Sequence, residues 1–74
     1  MTAPATTLTA TRTGMNEFAV VIHRWSGDSD ARVWVAAGGN VYIDTEGRSS
    51  FLGRSDGDRL AAFISDNFDR IICA

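Results

Sequence analysis

Three clusters of turn-forming residues cut the middle of this chain into short pieces. They are Ser26-Gly27-Asp28-Ser29-Asp30, Gly38-Gly39-Asn40 and Thr45-Glu46-Gly47. The pieces between them, Phe18 to Trp25, Arg32 to Ala37, Val41 to Asp44 and Arg48 to Leu52, are rich in β-branched and aromatic residues and too short for stable helices. Connections this brief join antiparallel neighbours, so the chain reads as a β-meander. A weak alternation at Leu8, Ala10 and Arg12 adds a candidate edge strand within an otherwise threonine-rich arm, residues 1–14.

The pattern changes after Ser55. Leu60, Phe63, Ile64 and Phe68 recur at helical spacing, so one apolar stripe faces the sheet. Ser55 as cap, Asp58 three residues on and Asp56 at the positive end of the dipole predict a helix beginning at Asp56, with Asn67 as its left-handed stop. Arg70 to Cys73 reads as a short strand returning to the sheet edge, with a last helical turn as the alternative. The expected fold is α+β: an antiparallel meander of four to five strands with one C-terminal helix packed on one face. With 74 residues there is room for one such domain, spanning 15–74.

Opposed residues of an antiparallel pair share a face, which makes the register testable against hydrophobicity. A loop from Ser26 to Ala31 sets Ile22 against Val35, Val20 against Ala37 and His23 against Trp34. A three-residue loop at Gly38 to Asn40 sets Val35 against Ile43 and Ala36 against Tyr42, with Gly39 or Asn40 at positive φ. A further loop at Thr45 to Gly47 places Val41 opposite Phe51. One face then carries Phe18, Val20, Ile22, Val33, Val35, Val41, Ile43 and Phe51, and takes the helix. The other carries Val21, His23, Trp25, Trp34, Tyr42 and Leu52, interleaved with Arg32 and Asp44.

One helix cannot cover both faces, so the aromatic one is the candidate partner surface. The alternatives are a half-wetted sheet face and a face covered by the N-terminal arm. The same register collects Asp28, Asp30, Asp44, Glu46, Asp66 and Asp69 at one end of the sheet with Arg24, Arg32, Arg48 and Arg70, which would put the net charge there. The candidate binding residues are therefore Trp25, Asp28, Asp30, Arg32, Trp34, Tyr42, Asp44 and Glu46.

The charge balance narrows the partner. Seven arginines and no lysine stand against nine acids, for a net charge of −2. Duplex-binding proteins draw most of their affinity from phosphate neutralisation, so direct nucleic-acid binding is disfavoured. A single-strand binder that stacks bases on sheet aromatics beside Arg24, Arg32 and Arg48 is the runner-up, and a structural subunit of a larger assembly the third reading.

Catalytic and metal-binding patterns are sparse. His23 is the one histidine and Cys73 the one cysteine, too few for a zinc set and with no nucleophile–base pair apparent in the sequence. Asp28-Ser29-Asp30 and Asp56-Gly57-Asp58 lack the spacing and closing glutamate of an EF-hand, and no glycine loop ends in a phosphate-cradling lysine. No enzyme activity and no cofactor are expected. A lone cysteine suits a reducing compartment, and neither a membrane-spanning run nor a secretory apolar run is present, so the expectation is cytoplasmic.

A short, mildly acidic chain with a strand meander (Phe18 to Trp25, Arg32 to Ala37, Val41 to Asp44) and a capped helix (Ser55 to Asn67) resembles the small phage- or mobile-element-encoded inhibitors, anti-CRISPR proteins among them. The resemblance is one of size and layout and transfers no residue. It implies a stoichiometric blocker that binds another protein, such as a CRISPR effector subunit, in the cytoplasm of the host cell. A homodimer is the other protein partner the exposed face would accept.

Overall fold

The computed structural model describes residues 6–73. Five strands run in chain order across one antiparallel sheet: β1 Thr7–Gly14, β2 Glu17–Arg24, β3 Gly27–Val35, β4 Asn40–Thr45 and β5 Arg48–Arg54. A 3₁₀ turn, Gly57–Arg59, leads into α1, Leu60–Asp66, and α2, Phe68–Ile72. The fold is α+β, with both helices on one face. Of the threonine-rich arm, Thr7–Gly14 pairs with β2 as an edge strand, while residues 1–5 lie outside the described residues.

The core lies between that face and the helices. Phe18, Val20, Ile22, Val33, Val41, Ile43 and Leu52 from the sheet meet Leu60, Ile64 and Ile71, and all are buried. Removing each from water contributes roughly 1.5–3 kcal/mol. The helix pair is also tied at its far end. Arg24 donates to the Ile72 carbonyl and Arg70 to the Leu52 carbonyl, so cations stabilise the C-terminal end of the helix dipole.

Several local expectations are corrected. The β2–β3 hairpin closes at Trp25-Ser26, with Arg24 opposite Gly27, rather than through a six-residue loop. His23 therefore faces Asp28, Ile22 faces Ser29 and Val20 faces Ala31. The slip is an even number of residues, so every side chain keeps its face although its partner changes. The β3–β4 loop is Ala37 to Gly39, and positive φ falls on Gly38 and Gly39, which pairs Val35 with Val41 and Trp34 with Tyr42.

The β4–β5 correction is of another kind, because it is odd. The turn is Glu46-Gly47, both at positive φ, as the right-handed strand twist favours for two-residue hairpins. Phe51 is thereby turned to the outer face, opposite Tyr42. A bulge then inserts Leu52 between the pairs Tyr42–Phe51 and Val41–Gly53 and drives it into the core. At that bulge Gly53 has φ 149°, and the Phe63 ring packs so close that a Cβ would sit 3.2 Å from it.

The helical segment departs from expectation at both ends. Ser55 Oγ bonds to the Asp56 carbonyl, no side chain caps the 3₁₀ turn, and the anticipated capping box does not form. Asn67 is not left-handed; its side-chain amide donates to the Phe63 carbonyl and the chain bends there into α2. Phe68–Ile72 is helical, so the segment from Arg70 continues the helix and is not a returning strand, because Ile71 completes the apolar stripe on the core.

Candidate binding face of the sheet

The outer face, away from the helices, carries an aromatic row across three strands. Trp34 and Tyr42 are directly opposed with ring centroids 5.1 Å apart, and Tyr42 meets Phe51 edge to face at 5.8 Å. Phe51 is 53% exposed. Large rings in cross-strand contact form a stiff platform, since each has few torsions to order.

Arg32 organises the polar side of this row. Its guanidinium stacks on Trp34 at 5.3 Å, donates to Glu17 Oε1 at 3.2 Å and to Asp44 Oδ2 at 2.6 Å. Glu17 stands opposite Trp34 on β2 and Asp44 opposite Arg32 on β4, so one fork clamps three strands. Asp44 also accepts from the Ser49 hydroxyl. Ser49 and then the Arg32 fork hold the Asp44 carboxyl below its ordinary value, against partial burial, which raises it. The Trp34 indole N–H falls short of hydrogen-bond geometry and has no partner.

Of the expected binding residues, Arg32, Trp34, Tyr42 and Asp44 come together here. Trp25 does not join them. It sits in the β2–β3 turn, 81% exposed, while Trp34 lies at the other end of β3, about 23 Å along the strand at the usual rise. Asp28 and Asp30 share the outer face but pair with His23 and Val21 in the half of the hairpin beyond the row, and Glu46 occupies the β4–β5 turn. Glu17, Ser49 and Phe51 belong to the site and were missed. The signal for Phe51 and Ser49 was Glu46-Gly47, which read as a two-residue turn puts both on this face. Glu17 had no signal short of the true β2–β3 register.

The single histidine has closer company than its sequence suggests. His23 Nδ1 lies 3.0 Å from Asp28 Oδ1, and Nε2 lies 2.8 Å from Thr9 Oγ1. With Asp28 accepting a hydrogen bond from Nδ1–H, Nε2 accepts from the Thr9 hydroxyl, the order of groups in a hydrolytic triad. However, the backbone N–H groups of a sheet lie in its plane, those on the open edge of β1 included, so the strands themselves raise none from this face to hold an oxyanion. What the arrangement does is pin the edge strand β1 to β2 and β3.

The charges do not sort to the two ends of the sheet. Asp44 and Arg32, expected at the loop end, pair with each other in mid-sheet, and Arg32 also binds Glu17 at the start of β2. Arg24 and Arg48 lie on the helix side, lining a cavity with Ile22. The outer face thus holds Glu17, Asp28, Asp30 and Asp44 against Arg32 and, at the end of β5, Arg54. It is acidic, and its central cation is already paired twice. Among the described residues no group of three or more His, Cys, Asp or Glu side chains is arranged to hold a metal ion, and no helix is long and apolar enough to cross a membrane. Comparison with known proteins returns no match among family models, curated proteins or solved structures.

Proposed function

We propose that the protein is a non-enzymatic inhibitor that binds another protein through the outer face of its sheet. The observation that carries this reading is the Trp34–Tyr42–Phe51 row, flanked by Glu17 and Asp44, on a face that no described element covers. Rigid aromatics supply contact area at low entropic cost and the acids favour a basic surface. Surfaces built to hold nucleic acid are basic, which makes the nucleic-acid channel of an effector complex a fitting target. Resemblance in size and layout to anti-CRISPR proteins nominates a CRISPR effector as the first one to try. Base stacking on the same row is disfavoured, because the charges around it repel phosphate.

The test places a photo-crosslinking amino acid at position 51 and, separately, at Ala62 on the exposed side of α1. Capture of one protein from the source cell at 51 and not at 62, abolished by Tyr42→Ser, supports the reading. Equal capture at both positions overturns the assignment of the face. With a purified effector complex, wild-type protein should prevent target-duplex binding in a gel shift and the Phe51→Ser variant should not. Quenching of tryptophan emission by single-stranded oligonucleotide, weakening steeply with salt, would instead establish the stacking reading. Self-association in sedimentation, lost in Phe51→Ser, would mark the face as a homodimer interface.

A further inference from the structure

A second concavity lies at the end of the sheet where the β3–β4 loop meets the start of the helical segment. It is a cleft of about 280 Å³, lined by Gly38, Gly39, Arg54, Ser55, Asp56 and Arg59. None of these residues belongs to the aromatic row. The cleft has a fixed frame: the Ser55 N–H bonds to the Gly39 carbonyl at 2.9 Å and Arg54 Nη2 to the Gly38 carbonyl at 2.7 Å. Gly38 and Gly39, at φ 87° and 85°, let the loop fold back over β5.

The donors of this cleft are in surplus. Arg59 makes no side-chain hydrogen bond or ion pair among the described residues, and Arg54 bonds only to a carbonyl that leaves its charge uncompensated. Gly38 N–H has no backbone acceptor. Two guanidinium groups with no carboxylate partner among the described residues, beside a glycine loop, form a set suited to phosphoryl oxygens. Asp56 adds an acceptor, and its carboxylate is bonded to neither arginine. The volume is close to the low end for small-molecule sites, roughly 300 Å³, and leaves room beyond a bare phosphate ion.

We infer that this cleft binds a small hydroxylated phosphate ester, with Arg54 and Arg59 holding the phosphoryl group and Asp56 accepting a hydrogen bond from a ligand hydroxyl. The inference is independent of the aromatic row and of the inhibitor reading. It is tested on the full chain by amide-resolved NMR titration at fixed ionic strength with glycerol 3-phosphate, inorganic phosphate and glycerol. Glycerol 3-phosphate should give saturable shifts at Gly38, Gly39 and Ser55, tighter than inorganic phosphate by about tenfold, the worth of one added charge-assisted hydrogen bond. Glycerol alone should give none. Arg59→Gln, an exposed change that leaves the fold intact, should abolish saturation, and Asp56→Asn should remove the preference for the ester. No saturable shift, or shifts unchanged in Arg59→Gln, overturns the site. Equal binding of phosphate and ester overturns the role of Asp56.

Discussion

Tyr42 stands directly across the β4–β5 ladder from Phe51, edge to face at 5.8 Å, while the next residue, Leu52, points through the sheet and is only 4% exposed. The bulge at Leu52 therefore decides which of two adjacent apolar residues builds the core and which builds the binding face. Leu52→Ala should cost about 2–5 kcal/mol, the range for an emptied core site. Phe51→Ala should cost about 1 kcal/mol, since the ring is already half in water and loses mainly its contact with Tyr42. Urea denaturation of the two variants measures both. A Phe51 loss as large as the Leu52 loss would place the bulge elsewhere.

Glu46 holds φ 47°, a left-handed conformation that a glutamate side chain adopts against its preference, beside Gly47 at 81°. The strain is on the order of 1 kcal/mol, and asparagine tolerates the same backbone. Glu46→Asn should stabilise the protein by about 0.5–1 kcal/mol, which for a domain of this size raises Tm by about 2–8 °C. Glu46→Ala should bring no such gain. Thermal unfolding of the pair separates a backbone effect from loss of charge.

The carboxyl of Asp44 is held below its ordinary value by the Ser49 hydroxyl and the Arg32 fork. The unfolded chain therefore takes up this proton at a higher pH than the folded one. Stability linked to Asp44 is fully present above the unfolded value near 3.8 and is lost as the pH falls through the lower folded value. Asp44→Asn should flatten the acid limb of the stability curve below about pH 4 while leaving its shape at neutral pH unchanged. The limb is followed by denaturant midpoints against pH, and an identical limb in the variant would show that Asp44 is not so held.

What the sequence made legible follows from periodicity. Alternation assigns Val20, Ile22, Val33, Val41 and Ile43 to the core, because the register slips between β2, β3 and β4 are by an even number of residues and preserve the face. The Trp34, Tyr42, Arg32 and Asp44 half of the site was legible for the same reason. Trp25 was misplaced because the hairpin turns on it: the glycine and aspartates that look like a loop are the start of β3. Phe51 and Leu52 exchanged roles because an odd shift and a bulge do not show in alternation. Arg70 to Cys73 reads as a strand or a last helical turn because four residues carry no period, and it is Ile71 meeting the core that decides for the helix.

Gly57 begins the 3₁₀ turn where it presses on the β1–β2 turn. A Cβ there would lie 2.0 Å from Asn16 Oδ1 and 2.7 Å from the Met15 carbonyl oxygen. The backbone neighbours are not free to retreat. The Met15 carbonyl accepts from Arg12 Nη1 at 2.8 Å, and the Asn16 carbonyl accepts from the Val35 N–H at 2.9 Å. Gly57→Ala should therefore destabilise the protein by about 1–3 kcal/mol, the cost of overpacking a fixed contact. Shortening the neighbour relieves the side-chain clash but not the one with backbone, so Asn16→Ala should recover part of that loss in the double variant. A double-mutant cycle by urea denaturation should give a coupling of at least about 0.5 kcal/mol. Simple additivity would mean that the helical segment does not start against the β1–β2 turn.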